Sequence, residues 1–305
     1  MFSAALLAVI CFGCVVAAIE LAGADWPWRG PRTAILLWQA IGLSWGIAAI
    51  GTLLGFGLSP YGRGVAWGAI DLAIDAAHHR AAEKLGWFHL AVTITGLVLA
   101  GMLVFMLAAA GVDVIRARRR HRTLLNLVGH GDPDVPGALI VDHPAATAYC
   151  VPGVRARVVV SAGALRLLDH AELAAVLAHE RTHARWRHDL VLLPFNALRR
   201  MLPASQVAGD AERSVGLLVE MSADDGAARS LAAGERRPLA TALLRIGAAG
   251  GDTPCGALGA GGEVVLRVNR LLRPAPSLPA RARLTALVAA IALIATPVML
   301  LCVPM

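Results

Sequence analysis

The sequence predicts a mainly α-helical membrane protein, in which four transmembrane helices carry an inserted cytoplasmic α+β domain. The first observation is composition, since 57% of the 305 residues are hydrophobic and only 16% are charged. Soluble proteins carry about 25% charged residues. The second observation is that the apolar residues gather into four long runs, and the third is that arginines flank two of those runs. This composition excludes a disordered chain and disfavours an ordinary soluble enzyme.

Four apolar runs are long enough to cross a bilayer, which takes about 20 mostly apolar residues. They cover residues 1–19, 33–58, 88–112 and 284–305. The first run has the position of a secretory signal peptide. No Lys or Arg precedes Arg29, however, so the positive start of a signal peptide is missing and we expect a retained helix.

Arginines set the predicted orientation, because short cytoplasmic flanks of spans carry an excess of positive charge. Five arginines within 116–122 follow the third run, and three within 273–283 precede the fourth. We therefore expect a multi-pass protein of the cell membrane with a cytoplasmic domain and both termini outside. The predicted domains are residues 1–115 with three spans, 116–283 as the cytoplasmic domain and 284–305 as the closing span.

The net charge of +7 admits two explanations. Binding to nucleic acid is one of them. The arginines beside the spans already account for the charge, so we expect contact with membrane lipid and no direct nucleic-acid partner. The oligomeric state stays open.

Two strands and one helix are predicted at the centre of the cytoplasmic domain. Short β-branched runs at 138–141 and 157–160 indicate strands. A helical pattern follows from Asp169, which can cap the helix, with Glu172 three residues later as in a capping box. We expect this helix over about 170–187.

The predicted helix contains an HExxH pattern from His179 to His183. The two histidines are one turn apart, so both imidazoles leave the same face and can bind one ion. Neutral imidazole suits Zn²⁺, which keeps a position for water in catalytic sites. Glu180 can reach that water and act as the general base. A solvent-facing polar helix is the alternative, but the apolar residues just before the motif favour a core helix.

A third ligand is available after a second apolar helical run at 215–219. Glu220 and Asp224 follow it four residues apart, so they share a helix face. Glu220 can complete a His-His-Glu zinc site. Asp224 can hydrogen-bond a ligand histidine and hold its tautomer, although a solvated helix end is an alternative for this residue.

His188 is a further candidate, five residues after His183 and about 140° around the helix from it. If the helix ends near Arg187, the His188 side chain can turn toward the site and stabilise a transition-state oxyanion. A helix-end cap or a surface contact is the alternative.

HExxH followed by ExxAD, here Glu220 to Asp224, resembles the motif pair of membrane gluzincins. Three spans, a zinc domain and a fourth span together resemble the BlaR/MecR-type membrane zinc metallopeptidases. The resemblance is sharpest over 157–228, and Arg187-His188-Asp189 is also similar to that family. It implies a zincin-like (gluzincin) domain that binds Zn²⁺.

By this resemblance His179, His183 and Glu220 are the zinc ligands and Glu180 is the base. It implies a zinc-dependent endopeptidase acting on a cytoplasmic protein, in the best-known members a BlaI/MecI-like transcriptional repressor. Those members carry a penicillin-binding sensor domain beyond the fourth span. This sequence ends at that span and has no SxxK motif, so we expect no acylation by a β-lactam.

Two alternatives stay open. One is a membrane gluzincin of quality control or prenyl-protein processing, which the site residues alone do not separate from the first. The other is a non-catalytic membrane adaptor that keeps a metal, against which the intact Glu180 argues. By analogy with zincins we also expect a substrate peptide to add to a sheet edge at 157–161. The apolar segment 190–201 is expected at the membrane interface.

Overall fold

The computed structural model describes residues 2–131, 138–151, 157–231, 236–249 and 262–302. Its helices are α1 (Phe2–Gly23), α2 (Pro31–Gly57), α3 (Gly64–Ala77), α4 (Ala81–Val128), α5 (Ala162–Leu167), α6 (His170–Trp186), α7 (His188–Met201), α8 (Gln206–Ser230), α9 (Arg237–Ala248), α10 (Gly262–Leu272) and α11 (Ala280–Cys302). Its strands are β1 (His130–Gly131), β2 (Ala138–Val141), β3 (Ala148–Val151) and β4 (Arg157–Ser161).

The chain forms two compact units. The first comprises residues 1–109, 197–212 and 278–305, and the second comprises 110–196 and 213–277. The predicted site residues all belong to the second unit.

Among the described residues, four helices are long and apolar enough to cross a membrane. They are α1, α2, the Glu83–Leu125 part of α4, and α11. The four apolar runs of the sequence are therefore helical as expected, while their topology and orientation stay predictions. Helix α4 continues through the arginine-rich residues 116–122 to Val128 rather than ending with its apolar run, because arginine is itself a good helix former.

Small residues let the helices of the first unit approach one another. A methyl group placed on Gly51 of α2 would lie 2.8 Å from a Leu301 methyl carbon and 3.1 Å from one of Leu7. A methyl group placed on Gly57 would collide with the Thr93 side chain of α4. Small residues at such contacts are typical of helices that pack inside a membrane, where burial of apolar area gives little gain.

The second unit holds a four-stranded sheet in the order β1-β2-β4-β3. Strands β2 and β4 are parallel, and the outer strands run antiparallel to their neighbours. The strands expected at 138–141 and 157–160 are confirmed, the second one residue longer.

The prediction that residues 157–161 form a sheet edge is wrong. Strand β4 pairs with β2 on one side and with β3 on the other, so among the described strands β3, and not β4, lies at that edge of the sheet. Val158, Val159 and Val160 are all buried, on both faces of the sheet. An uninterrupted buried apolar run is the pattern of a central strand, and this is the physical reason for the difference.

Helix α6 covers one face of the sheet and begins as the sequence predicts. An Asp169 carboxylate oxygen accepts from the Glu172 amide at 2.8 Å, and Glu172 Oε2 accepts from the Asp169 amide at 3.0 Å. Leu173, Val176 and Leu177 of α6 then pack into the core on the sheet face that presents Val158 and Val160. The helix ends at Trp186, where Arg187 adopts the left-handed conformation with φ 50°.

The other face of the sheet is covered by the C-terminal turns of α4. Leu125 packs with Val151 and Val159 there. His121 Nε2 lies 2.9 Å from the Tyr149 hydroxyl of β3. The edge strand is thus held between α4 on one face and α6 on the other.

Candidate metal centre

Three predicted ligands converge between α6 and α8. The Nε2 atoms of His179 and His183 are 3.0 Å apart. Carboxylate oxygens of Glu220 lie 3.4 Å from His179 Nε2 and 3.5 Å from His183 Nε2. One donor atom from each residue lies within 4.8 Å of the other two. Within the described ranges this group can hold a metal ion, and the ligand roles themselves stay predictions.

Close packing of two helices creates this geometry. Ala175 and Ala178 of α6 share a buried cluster with Ala227 of α8. Gly226 of α8 lies against Thr182, and any side chain at that glycine would collide with the threonine. Small residues on both helices therefore bring α8 close enough for Glu220 and Asp224, one turn apart, to face the histidines.

Asp224 lies behind His179, on the side of the ring away from Glu220. Its Oδ1 is 3.0 Å from His179 Nδ1, and the Asp224 side chain is 1% exposed. An anion at Nδ1 holds the proton there and leaves Nε2 as the donor toward a metal.

Arg267 of α10 joins the cluster, although no sequence pattern predicted it there. Its Nε and Nη2 donate to the two carboxylate oxygens of Asp224 at 2.9 and 2.8 Å. Its Nη1 lies 3.0 Å from Glu220 Oε2. The available signal was helical spacing, since Arg267 occupies an inward position beside the buried Val268 and Leu271.

The electrostatics of the cluster favour a cation. Burial alone would lower the pKa of His179, but the contacts with Asp224 and Glu220 outweigh it and raise that pKa to about 10. Burial would raise the pKa of Glu220, yet Arg267 and the histidines hold it well below its usual value. Three carboxylates, those of Glu180, Glu220 and Asp224, face one guanidinium. A divalent cation would bring this cluster close to neutrality, and the His-His-Glu donors suit Zn²⁺.

Glu180 lies beside the ligand cluster and contacts the edge strand. Its Oε2 accepts a hydrogen bond of 3.2 Å from the backbone amide of Cys150 on β3. Burial raises the pKa of Glu180, against the lowering effect of the two histidines. A carboxylate with a raised pKa is better matched to taking up a proton near neutral pH.

His188 occupies the corner between α6 and α7 and is buried. Its Nδ1 lies 3.0 Å from Nδ1 of His183, with the two rings nearly perpendicular. This contact is on the Nδ1 side of His183, whereas Glu220 and His179 lie at its Nε2 side. His188 is therefore buried rather than at the surface, and its role in stabilising an oxyanion stays a prediction. The placement also lets His188 orient His183 as Asp224 orients His179.

Comparison with known protein families gives a match to Peptidase family M48 over residues 115–211. The matched segment contains His179, Glu180 and His183 and stops before Glu220. The match supports a membrane-associated metallopeptidase of the gluzincin type, and therefore a hydrolase. It does not distinguish the BlaR/MecR-type peptidases among gluzincins. No solved structure matches the chain.

Asp224→Asn is expected to weaken zinc binding about 10- to 100-fold, because an amide holds the His179 tautomer less firmly than a carboxylate does. Competition with a chelator of known affinity measures the change. Asp225→Asn is the matched control, since Asp225 pairs with Arg270 and not with a predicted ligand. Equal zinc affinity in both variants would contradict the role of Asp224.

His188→Phe is expected to weaken zinc binding about tenfold, because the nitrogen that contacts His183 is lost. An aromatic ring of similar size remains, so the packing is kept. The same chelator competition applies. His170→Phe, at the exposed start of α6, serves as the control. An affinity equal to that of the wild type would assign His188 to packing alone.

Proposed function

We propose that the protein is an integral-membrane zinc-dependent endopeptidase that hydrolyses peptide bonds of a cytoplasmic protein. The observation that carries the proposal is the convergence of donor atoms from His179, His183 and Glu220 within 4.8 Å. The acid-base residue Glu180 stands beside them. The family match supports the assignment as a metallopeptidase. The identity of the metal, the endopeptidase specificity and the substrate are proposed here.

The chemistry follows from the positions of the side chains. His179, His183 and Glu220 would hold the Zn²⁺, which when bound supplies a Lewis acid for the scissile carbonyl and lowers the pKa of a water molecule. The Cys150 amide holds Oε2 of Glu180 and so presents Oε1 as the proton acceptor. Glu180 takes a proton from the attacking water and returns it to the leaving amide nitrogen.

Strand β3 supports a path for the peptide substrate. Cys150 directs its backbone amide away from β4 and toward Glu180. By the alternation of antiparallel pairs, Ala148 also directs its backbone groups away from β4. Edge strands with such groups accept an added peptide strand. A substrate strand along β3 would lie next to the general base.

The cellular role rests on the resemblance to BlaR/MecR-type peptidases. We propose that the catalytic domain faces the cytoplasm, that both termini lie outside, and that the substrate is a regulatory protein such as a BlaI/MecI-like repressor. Quality control and prenyl-protein processing would use the same site residues, so an assay with candidate substrates decides between them.

The first experiment measures zinc content and cleavage of casein by the full-length protein purified in detergent. We expect about one zinc per chain in the wild type, as in a catalytic site with three protein ligands. Glu180→Gln should keep zinc and lose at least about 100-fold in rate, the contribution typical of a general base. His183→Ala should lose both zinc and activity.

Two outcomes would contradict the proposal. The first is a wild type that binds zinc but cleaves no protein substrate, together with a Glu180→Gln variant that functions normally in cells. That result would favour the non-catalytic adaptor. A wild type without zinc would make the HExxH pattern a coincidence of helix spacing.

Ala148→Pro is expected to raise the KM for a peptide substrate about tenfold with little change in kcat. Proline removes an amide that points away from β4, so the ladder within the sheet is kept while pairing to the substrate is lost. Ala148→Ser is the control. If KM is unchanged in a folded Ala148→Pro protein, the peptide does not bind along β3.

A further inference from the structure

We propose that Arg267 is the positioning residue that assembles the metal centre. Its guanidinium fixes the third ligand, Glu220, and at the same time fixes Asp224, the partner of the first ligand. The inference rests on the proposed function, because it assigns the metal to these side chains. It adds α10 to α6 and α8, the two helices that carry the predicted ligands.

The contacts of Arg267 use three different nitrogens. Nε and Nη2 bind the two oxygens of Asp224 at 2.9 and 2.8 Å, and Nη1 lies 3.0 Å from Glu220 Oε2. A guanidinium is planar and presents its donors in a fixed arrangement. One rigid group thus sets the distance and orientation between two carboxylates that act on the metal by different routes.

Burial makes this arrangement obligatory. The side chains of Arg267 and Asp224 are 9% and 1% exposed. A buried charge is costly unless it is paired and hydrogen-bonded. Loss of the guanidinium would remove both hydrogen-bond donors from the buried Asp224 carboxylate and would end the ion pair of Arg267 with Glu220, so both side chains would be free to move.

A second ion pair on the same two helices shows what Arg267 does beyond docking them. Arg270 of α10 donates to both oxygens of Asp225 of α8 at 2.9 and 2.8 Å. This pair has the same bidentate form and nearly the same place in the fold. The pair also includes a contact of Arg270 Nη1 with the Met221 carbonyl at 3.5 Å, and neither Asp225 nor Met221 is a predicted ligand. Together with the buried Val268 and Leu271, it can hold α10 on α8, so the distinctive part of Arg267 is its contact with Glu220.

Charge and geometry predict opposite effects for this residue. As a positive charge alone, Arg267 repels a divalent cation, and its removal would tighten zinc binding. As a positioning group, it holds Glu220 and the Asp224–His179 pair in place, and its removal would weaken zinc binding. The sign of the change in affinity therefore separates the two roles.

The test compares Arg267→Gln and Arg267→Lys with Arg270→Gln and Arg270→Lys in the full-length, detergent-purified protein. Zinc affinity is measured by chelator competition, and the thermal transition of each variant is recorded. We expect both Arg267 variants to bind zinc at least about tenfold more weakly than the wild type, a loss of the size seen for outer partners of metal ligands. Lysine should fail as well, because a single ammonium cannot hold both carboxylates. The Arg270 variants should stay within about twofold of the wild type.

Zinc affinity that is equal to or tighter than that of the wild type in Arg267→Gln would overturn the inference. So would full affinity in Arg267→Lys, which keeps the charge and remains informative if the glutamine variant does not fold. Equal losses in the Arg267 and Arg270 variants would reduce Arg267 to a docking residue. A wild type that binds no zinc would instead overturn the proposed function itself, so the two failures are distinguishable.

Discussion

The rest of the site depends on the interactions of one buried carboxylate, that of Asp224. It lies 3.0 Å from His179 of α6 and accepts two hydrogen bonds from Arg267 of α10. Three helices therefore meet at one side chain that is almost fully excluded from solvent. An anion in such a place is stable only when every partner is present, so the pairing selects one arrangement of the three helices and, with it, one geometry of the donor atoms.

Helix capping and helix periodicity predicted the features of this site that lie within one helix. The capping box at Asp169 and the spacing of His179 and His183 act within one or two helical turns, and the structure has both. The partnership of Glu220 and Asp224 with the histidines followed from their shared helix face and from a resemblance. The pairing of Arg267 was not predicted, because this residue lies 43 positions after Asp224. Helix spacing alone indicates that Arg267 is buried but does not identify its partner.

The edge of the sheet was predicted wrongly for a similar reason, because it depends on strand pairing between distant residues. The sequence pattern predicted β2 and β4 because both are rich in apolar and β-branched residues. It also led us to expect β4 as the edge that binds substrate. The valines of β4 are buried on both faces because β4 is central. The true edge, β3, is short and mixed in composition, and its position follows only from pairing. That position matters for the proposed function, because the Cys150 amide of β3 contacts Glu180, the proposed general base.

The most direct test of the account is the local structure around bound zinc, measured by X-ray absorption at the zinc edge on the full-length protein. We expect two imidazole nitrogens at about 2.0–2.1 Å together with oxygen ligands and no sulfur, and we expect no bound zinc in His183→Ala. A shell that contains sulfur near 2.3 Å, or zinc that stays bound in an unchanged shell in His183→Ala, would contradict the proposed ligands and would place the metal elsewhere in the chain.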